Sequence, residues 1–159
     1  MSKHLSKIGY LPMSADLFHV GHFNAIRQAV GECDDLIIGL LTDTAMQKYK
    51  GGSIIPFEQR FEILQIMSFY FYSKQIIICP QHSLDFSENI LKYNVNKIFS
   101  GDGWCDEELL AFSNLQRDLL KQGKEIQLVK LEYDLRQSTS KIKRKIIELY
   151  KKNKLIISS

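Results

Sequence analysis

The sequence has few of the features that mark specialised architectures. Its three cysteines, Cys33, Cys79 and Cys105, are scattered without a CxxC spacing, which suits free thiols in a reducing cytosol and argues against a disulfide framework. Its longest aliphatic run, Leu36 to Leu41, is far too short to span a bilayer. The opening stretch MSKHLSKIGYLP lacks the apolar segment of a secretory signal, so a cytoplasmic protein is expected. No Pro/Gly/Ser-rich linker, low-complexity tract or internal repeat interrupts the 159 residues. One domain over 1–159 is therefore expected, long enough to bury roughly two thirds of its unfolded surface. A formal charge of +3 is too small to imply nucleic acid as a partner. Two standard phosphate fingerprints, GxxxxGK(S/T) and GxGxxG, are also absent.

What the chain does have is alternation. Ile8 to Leu11, Leu36 to Leu41, Gln75 to Cys79, Lys97 to Ser100 and Ile126 to Leu131 are short and aliphatic, several of them apolar on both faces, as strands of a buried parallel sheet are. Val20 to Val30, Pro56 to Met67 and Asp106 to Gln122 carry helical spacing between them. Phe112, Leu115 and Leu119 make one stripe, and Pro56 suits a first turn. The βαβ order predicts an α/β, Rossmann-like, doubly wound parallel sheet of five strands with helices on both faces, and a ligand beyond the carboxyl ends of the strands.

The segment after the first strand, MSADLFHVGH (Met13 to His22), lies at such an end. His19 and His22 are three apart on a first helical turn, beside free backbone N–H groups and the positive end of the helix dipole, where an anion binds. Gly21 lets a phosphate approach the backbone, and Asp16 can orient an imidazole or help hold a metal. A blander reading stands beside this one: two histidines that only cap and solvate a helix start. A third is zinc, with Cys79 and His82 in C-x-x-H spacing joining the pair.

MSADLFHVGH resembles the HxGH signature of the nucleotidyltransferase superfamily, and in particular the cytidylyltransferases that make CDP-alcohols. GLLTD (Gly39 to Asp43) is similar to the family's second strand end, YKGGSIIPFEQR (Tyr49 to Arg60) to its lysine loop and E-x-R helix, SGDGW (Ser100 to Trp104) to its GDDW, and STSKI (Ser138 to Ile142) to its final turn. These follow in the family's order from about Gly9 to Ile147. YLPMSAD and PQHSLDFSENI resemble the cytidylyltransferase domains that accompany phosphoenolpyruvate mutase in phosphonate pathways.

The resemblance implies transfer of CMP from CTP to a small phosphorylated alcohol or alkylphosphonate, with magnesium accompanying CTP and pyrophosphate leaving. It implies that His19, His22 and Lys50 are catalytic, and that Ser14, Ala15, Asp16, Gly21, Arg60, Asp102, Ser138 and Thr139 bind the nucleotide. His82, Trp104 and Arg136 are the candidates for the acceptor, and a homodimer is expected. Three departures bear on acceptor recognition: Gly103 replaces the second aspartate of GDDW, Met13-Ser14-Ala15 replaces the usual GTF, and Leu135-Arg136-Gln137 stands before the final serine and threonine. Adenylyl transfer from ATP and a non-catalytic nucleotide-binding module are the alternatives.

The stretch KIKRKIIELYKKNK (Lys141 to Lys154) holds seven of the 21 basic residues against one acid, Glu148. The remaining 14 basic residues face 17 acidic ones. Ile142, Ile146 and Leu149 make an apolar stripe that is expected to pack on the body, leaving a solvated basic face. Contact with an anionic membrane or with nucleic acid is the second reading.

Overall fold

The computed structural model describes residues 6–101, 104–132, 134 and 136–157, with the side chains of 154–157 left out. Five strands form one parallel sheet: β1 (Ile8–Met13), β2 (Asp35–Leu41), β3 (Gln75–Gln81), β4 (Lys97–Ser100) and β5 (Gln127–Lys130), in the order β3-β2-β1-β4-β5. The helices are α1 (Val20–Glu32), α2 (Asp43–Lys50), α3 (Phe57–Ser68), α4 (Ser87–Lys92), α5 (Asp106–Lys121) and α6 (Thr139–Ile157). A 3₁₀ turn (Phe69–Phe71) follows α3.

Strand periodicity divides the core between two faces. Leu36, Ile38 and Leu40 of β2 pack with Ile26, Ala29 and Val30 of α1 and Leu64 of α3. Ile37, with Tyr10 of β1 and Ile98 of β4, turns to the other face against Ile90 of α4 and Phe112, Leu115 and Leu119 of α5. The doubly wound α/β fold is thus observed, with the helical stripe Phe112-Leu115-Leu119 facing the sheet as its spacing predicts.

Two strands run longer than their aliphatic cores. β3 continues through Pro80 to Gln81; it is an edge strand, where a missing N–H is tolerated. β1 continues through Pro12 to Met13. It pairs with β2 along its length but with β4 only at Gly9 and Tyr10. The two strands part beyond Tyr10, where the chain winds to opposite sides, and a crevice opens at their carboxyl ends.

Two short helices, α2 and α4, are not evident from hydrophobic spacing; with eight and six residues they have too few turns to show a stripe. The last helix also departs from expectation. Its first turn joins the body, but every residue from Arg144 to Asn153 is exposed, so the stripe of Ile146 and Leu149 does not pack on the sheet.

Arg60 is the largest fully buried side chain. Expected on the nucleotide, it is instead spent on protein acceptors. Nε donates to Ile55 O at 2.9 Å, Nη1 to Ser14 O at 2.6 Å and Leu41 O at 2.9 Å, and Nη2 to Asp43 Oδ1 at 2.7 Å. The fork geometry of guanidinium fits this task, since four acceptors in different directions need several fixed donors. Asp43 also accepts from Ser53 Oγ and from the Phe57 N–H at the start of α3. One buried cation therefore ties the ends of β1 and β2 to the first turn of α3.

Arg60→Met should leave those acceptors without their donor and lower unfolding free energy by about 3–5 kcal/mol, read from the denaturant midpoint. Arg60→Lys should recover only part of the loss. Unchanged stability in Arg60→Met would contradict the buried-clamp role.

Candidate active site

The turn between β1 and α1 is held from three sides. Ser14 O accepts from Arg60. The Asp16 carboxylate, almost wholly buried, accepts from the Ile54 and Ile55 N–H groups at 3.0–3.2 Å and meets Lys143 Nζ at 3.3 Å. Asp16 O accepts from Thr139 Oγ1 at 2.9 Å. Burial disfavours the charged carboxylate, but the hydrogen bonds from Ile55, Ile54 and Lys143 outweigh it and hold Asp16 below the usual carboxylate range. Asp16 is thereby committed to the loop and to α6, rather than to an imidazole.

From that turn the two histidines project as a reciprocal pair. The His19 N–H donates to His22 Nδ1 at 3.3 Å, and the Gly21 N–H donates to His19 Nδ1 at 3.0 Å. A ring nitrogen that accepts a backbone N–H carries no proton, so each neutral ring has its hydrogen on Nε2. The rings lie 4.0 Å apart between centroids, and Phe18 stacks on His22 at 5.5 Å. Gly21 is required by this packing, because a Cβ there would lie 2.8 Å from His19 Cε1 and 3.2 Å from Gln137 O. Burial, followed by the neighbouring His19 and Lys50, pushes His22 down to about 4, with Asp16 opposing. His19 is also lowered by burial, against the pull of Asp134. Both rings are neutral donors near pH 7.

These side chains line a cleft of about 670 Å³ at the carboxyl end of the sheet, a size typical of small-ligand sites. α6 enters it from the opposite side, with Ser138 Oγ capping the Lys141 N–H at 3.2 Å. The N-termini of α1 and α6 thus open on one space, and both favour anions. Lys50 reaches the cleft from the last residue of α2 rather than from a loop. The helix stops there because Gly51 takes the left-handed conformation, φ 73°, and returns its N–H to Met46 O.

A second lobe of about 310 Å³ shares Met13, Ser14, His22 and Lys50 with the first and is walled by Tyr49, Trp104 and Glu108. Trp104 is buttressed by Phe86 and Phe112, with ring centroids at 5.4 and 5.9 Å.

Of the residues expected at the site, Ser14, Asp16, His19, Gly21, His22, Lys50, Ser138 and Thr139 line the main cleft, and Trp104 lines the adjoining lobe. Ala15 does not, because it is buried in the core at φ 51°. Arg60 lies behind the turn. His82 is exposed and lines neither lobe. The Arg136 guanidinium folds onto Asp134, with contacts of 2.9 and 2.7 Å, and also lines neither. Asp102 and Gly103 lie outside the described residues.

No group of three or more potential metal ligands occurs among the described residues. Cys79 is buried, with burial pushing its thiol up to about 11. The C-x-x-H pair therefore gains no zinc site here. Lys143 is a site residue that sequence reasoning missed; its i,i+4 spacing from Thr139 puts both on one face of α6.

Comparison with known proteins follows the same line. A family model described as cytidylyltransferase-like matches residues 11–158. Ethanolamine-phosphate cytidylyltransferase of Arabidopsis thaliana is 26% identical over 99 residues, covering 60% of this chain and 23% of that protein. The chain thus spans about a quarter of that relative's length. FAD synthase of Thermococcus onnurineus is 26% identical over 139 residues, 85% of this chain and 87% of that one. Among solved structures, the lipopolysaccharide core biosynthesis protein of Thermoplasma volcanium shares the fold, with a TM-score of 0.65 at 17% identity over 82% of this chain and 99% of the other. The match over residues 11–158 places this chain in the cytidylyltransferase-like family of the nucleotidyltransferase superfamily.

Proposed function

We propose that this chain transfers CMP from CTP to a phosphate or phosphonate oxygen of a small acceptor, releasing pyrophosphate. The observation that carries the reading is the convergence of two helix N-termini, two Nε2–H donors and the cations Lys50 and Lys143 on one cleft. Such a set binds a polyphosphate and stabilises charge that builds on it, with no covalent nucleophile.

In this reading the triphosphate lies across the starts of α1 and α6. The acceptor sits in the lobe beside Trp104, and Lys50, common to both lobes, meets the anions of each. An acceptor oxygen attacks the α-phosphorus in line, and the bond from that phosphorus to the α,β-bridging oxygen breaks. His19 and His22 donate from Nε2 to phosphate oxygens as the leaving group gains charge. Magnesium fits as a companion of the nucleotide, held by phosphates and water, because the Asp16 carboxylate is already committed to the Ile54 and Ile55 N–H groups and Lys143; bound there it would spread the triphosphate charge.

The FAD synthase likeness, which covers most of both chains, favours adenylyl transfer as the second reading. Pyrophosphate release with magnesium separates the two when CTP and ATP are tested with glycerol 3-phosphate, phosphocholine, phosphoethanolamine, 2-aminoethylphosphonate and 2-hydroxyethylphosphonate. CTP should turn over. Turnover with ATP alone would replace the cytidylyl assignment, and turnover with neither would leave a nucleotide-binding module. A homodimer is also proposed, supported by Ile66, Phe69, Tyr70 and Tyr72, which leave the α3 end exposed.

His22→Ala should lower kcat by roughly 10²–10³-fold, or about 2.7–4 kcal/mol, if the ring acts as a preorganised donor. CTP affinity should change less, and the melting temperature only slightly. Normal turnover would contradict the assignment.

The depressed His22 pKa makes a separate prediction. A second proton on His22 goes to Nδ1 and displaces the bond accepted from the His19 N–H; phosphates beside Nε2 favour that charged ring, so binding raises a pKa that starts near 4. Protons are then taken up on binding wherever the pH lies between the free and bound values, and this part of the affinity grows as pH falls through that window. Calorimetry at about pH 5, just above the free value, in buffers of different ionisation enthalpy, should show uptake that shrinks in His22→Asn. Equal uptake in both proteins would place the linked group elsewhere.

A further inference from the structure

Beyond Lys143, α6 takes no part in the cleft, and its composition is unlike the rest of the chain. The helix carries seven basic residues and one acid, a net +6, whereas the remainder sums to −3. Ile142, Ile146, Leu149 and Tyr150 recur at i, i+4, i+7 and i+8, which puts them on one stripe. Ile146, Leu149 and Tyr150 are 54, 48 and 65% exposed. Lys141, Lys145 and Lys152 follow one flank of that stripe, Lys143 stands on the other, and Arg144 and Lys151 fall on the back.

A helix that is apolar along one line, cationic around it and exposed throughout from Arg144 to Asn153 has the make-up of an interfacial helix. Nucleic acid has no use for an apolar line beside a row of lysines. Two-fold pairing of α6 with a second copy would set +6 against +6. An anionic lipid surface answers both features at once: the stripe enters the headgroup boundary, the lysine stems lie along it, and their ammonium groups remain among lipid phosphates and carboxylates. The anchor is already built, because Thr139 and Lys143 fix the start of α6 to Asp16.

We propose that α6 docks this protein on an anionic membrane surface. The full chain should co-sediment at low salt with vesicles of phosphatidylserine and phosphatidylcholine, bind phosphatidylcholine alone far less, and leave the anionic vesicles as salt shortens the Debye length below ~10 Å. Two double variants, Ile146→Ser with Leu149→Ser and Lys151→Glu with Lys152→Glu, should each weaken vesicle binding at least roughly tenfold. All four positions are exposed, so nucleotide binding should persist and confirm the fold. No association with anionic vesicles at low salt would overturn the proposal. So would equal binding to phosphatidylcholine alone, or full binding by the Ile146/Leu149 variant, which would reduce the effect to charge. If that variant instead turned a dimer into a monomer in sedimentation, the stripe would belong to a second copy, and the proposal would also fall.

Discussion

The turn from β1 into α1 runs against its own steric preference, and the site depends on its being held there. Ala15 and Leu17 stand at φ 51° and 50°, a left-handed conformation that costs a non-glycine residue about 1–2 kcal/mol. The chain keeps it because the Ser14 carbonyl, the Asp16 carbonyl and the Asp16 carboxylate are all held from outside the turn. Arg60 holds Ser14 O, two loop N–H groups and Lys143 hold the Asp16 carboxylate, and Thr139 holds Asp16 O. These partners come from α3, the segment before it, and α6, elements far apart in sequence. Release of the turn would free Phe18, His19 and His22 together. Strain held this way is common at functional sites, where a precise direction for side chains outweighs local comfort.

The same partners set the charge of the cleft. Asp16 is the buried carboxylate closest to the histidines in sequence, and its oxygens face backbone N–H groups and Lys143 rather than the rings. The Asp134 carboxylate is likewise held by Arg136 and Asn24. Lys50, the start of α1 and the start of α6 bring positive charge and donors to the open space, with Glu132 on the same lining and Glu108 in the adjoining lobe. Arg60 contributes at one remove, by fixing a carbonyl that would otherwise be free to turn inward.

The sheet is legible in the order of aliphatic runs along the chain, because strands buried on both faces write them continuously, and Lys97 to Ser100 matches β4 residue for residue. The HxGH pair, Gly21, Lys50 and the Ser138-Thr139 turn were legible through the resemblance, since local motifs carry their geometry with them. Arg60 is expected on the nucleotide, whereas its guanidinium is committed to protein acceptors, and the sequence hides this for a physical reason. An arginine on a helix reads as solvated, and nothing local reveals that its acceptors come from Ser14 and Leu41, 46 and 19 residues away. Ala15 likewise sits within a binding motif, yet its side chain belongs to the core. The exposure of α6 was hidden too, because amphipathic spacing is the same whether the stripe meets protein or lipid.

Long-range ¹H–¹⁵N correlation spectra of the imidazoles would test most directly whether this turn presents two phosphate donors. With Nδ1 of each ring accepting a backbone N–H, both His19 and His22 should appear at pH 7 as neutral rings protonated at Nε2, and adding CTP with magnesium should move their Nε2 resonances. A proton on Nδ1 in either ring, or Nε2 resonances that stay in place at saturating nucleotide, would contradict that arrangement.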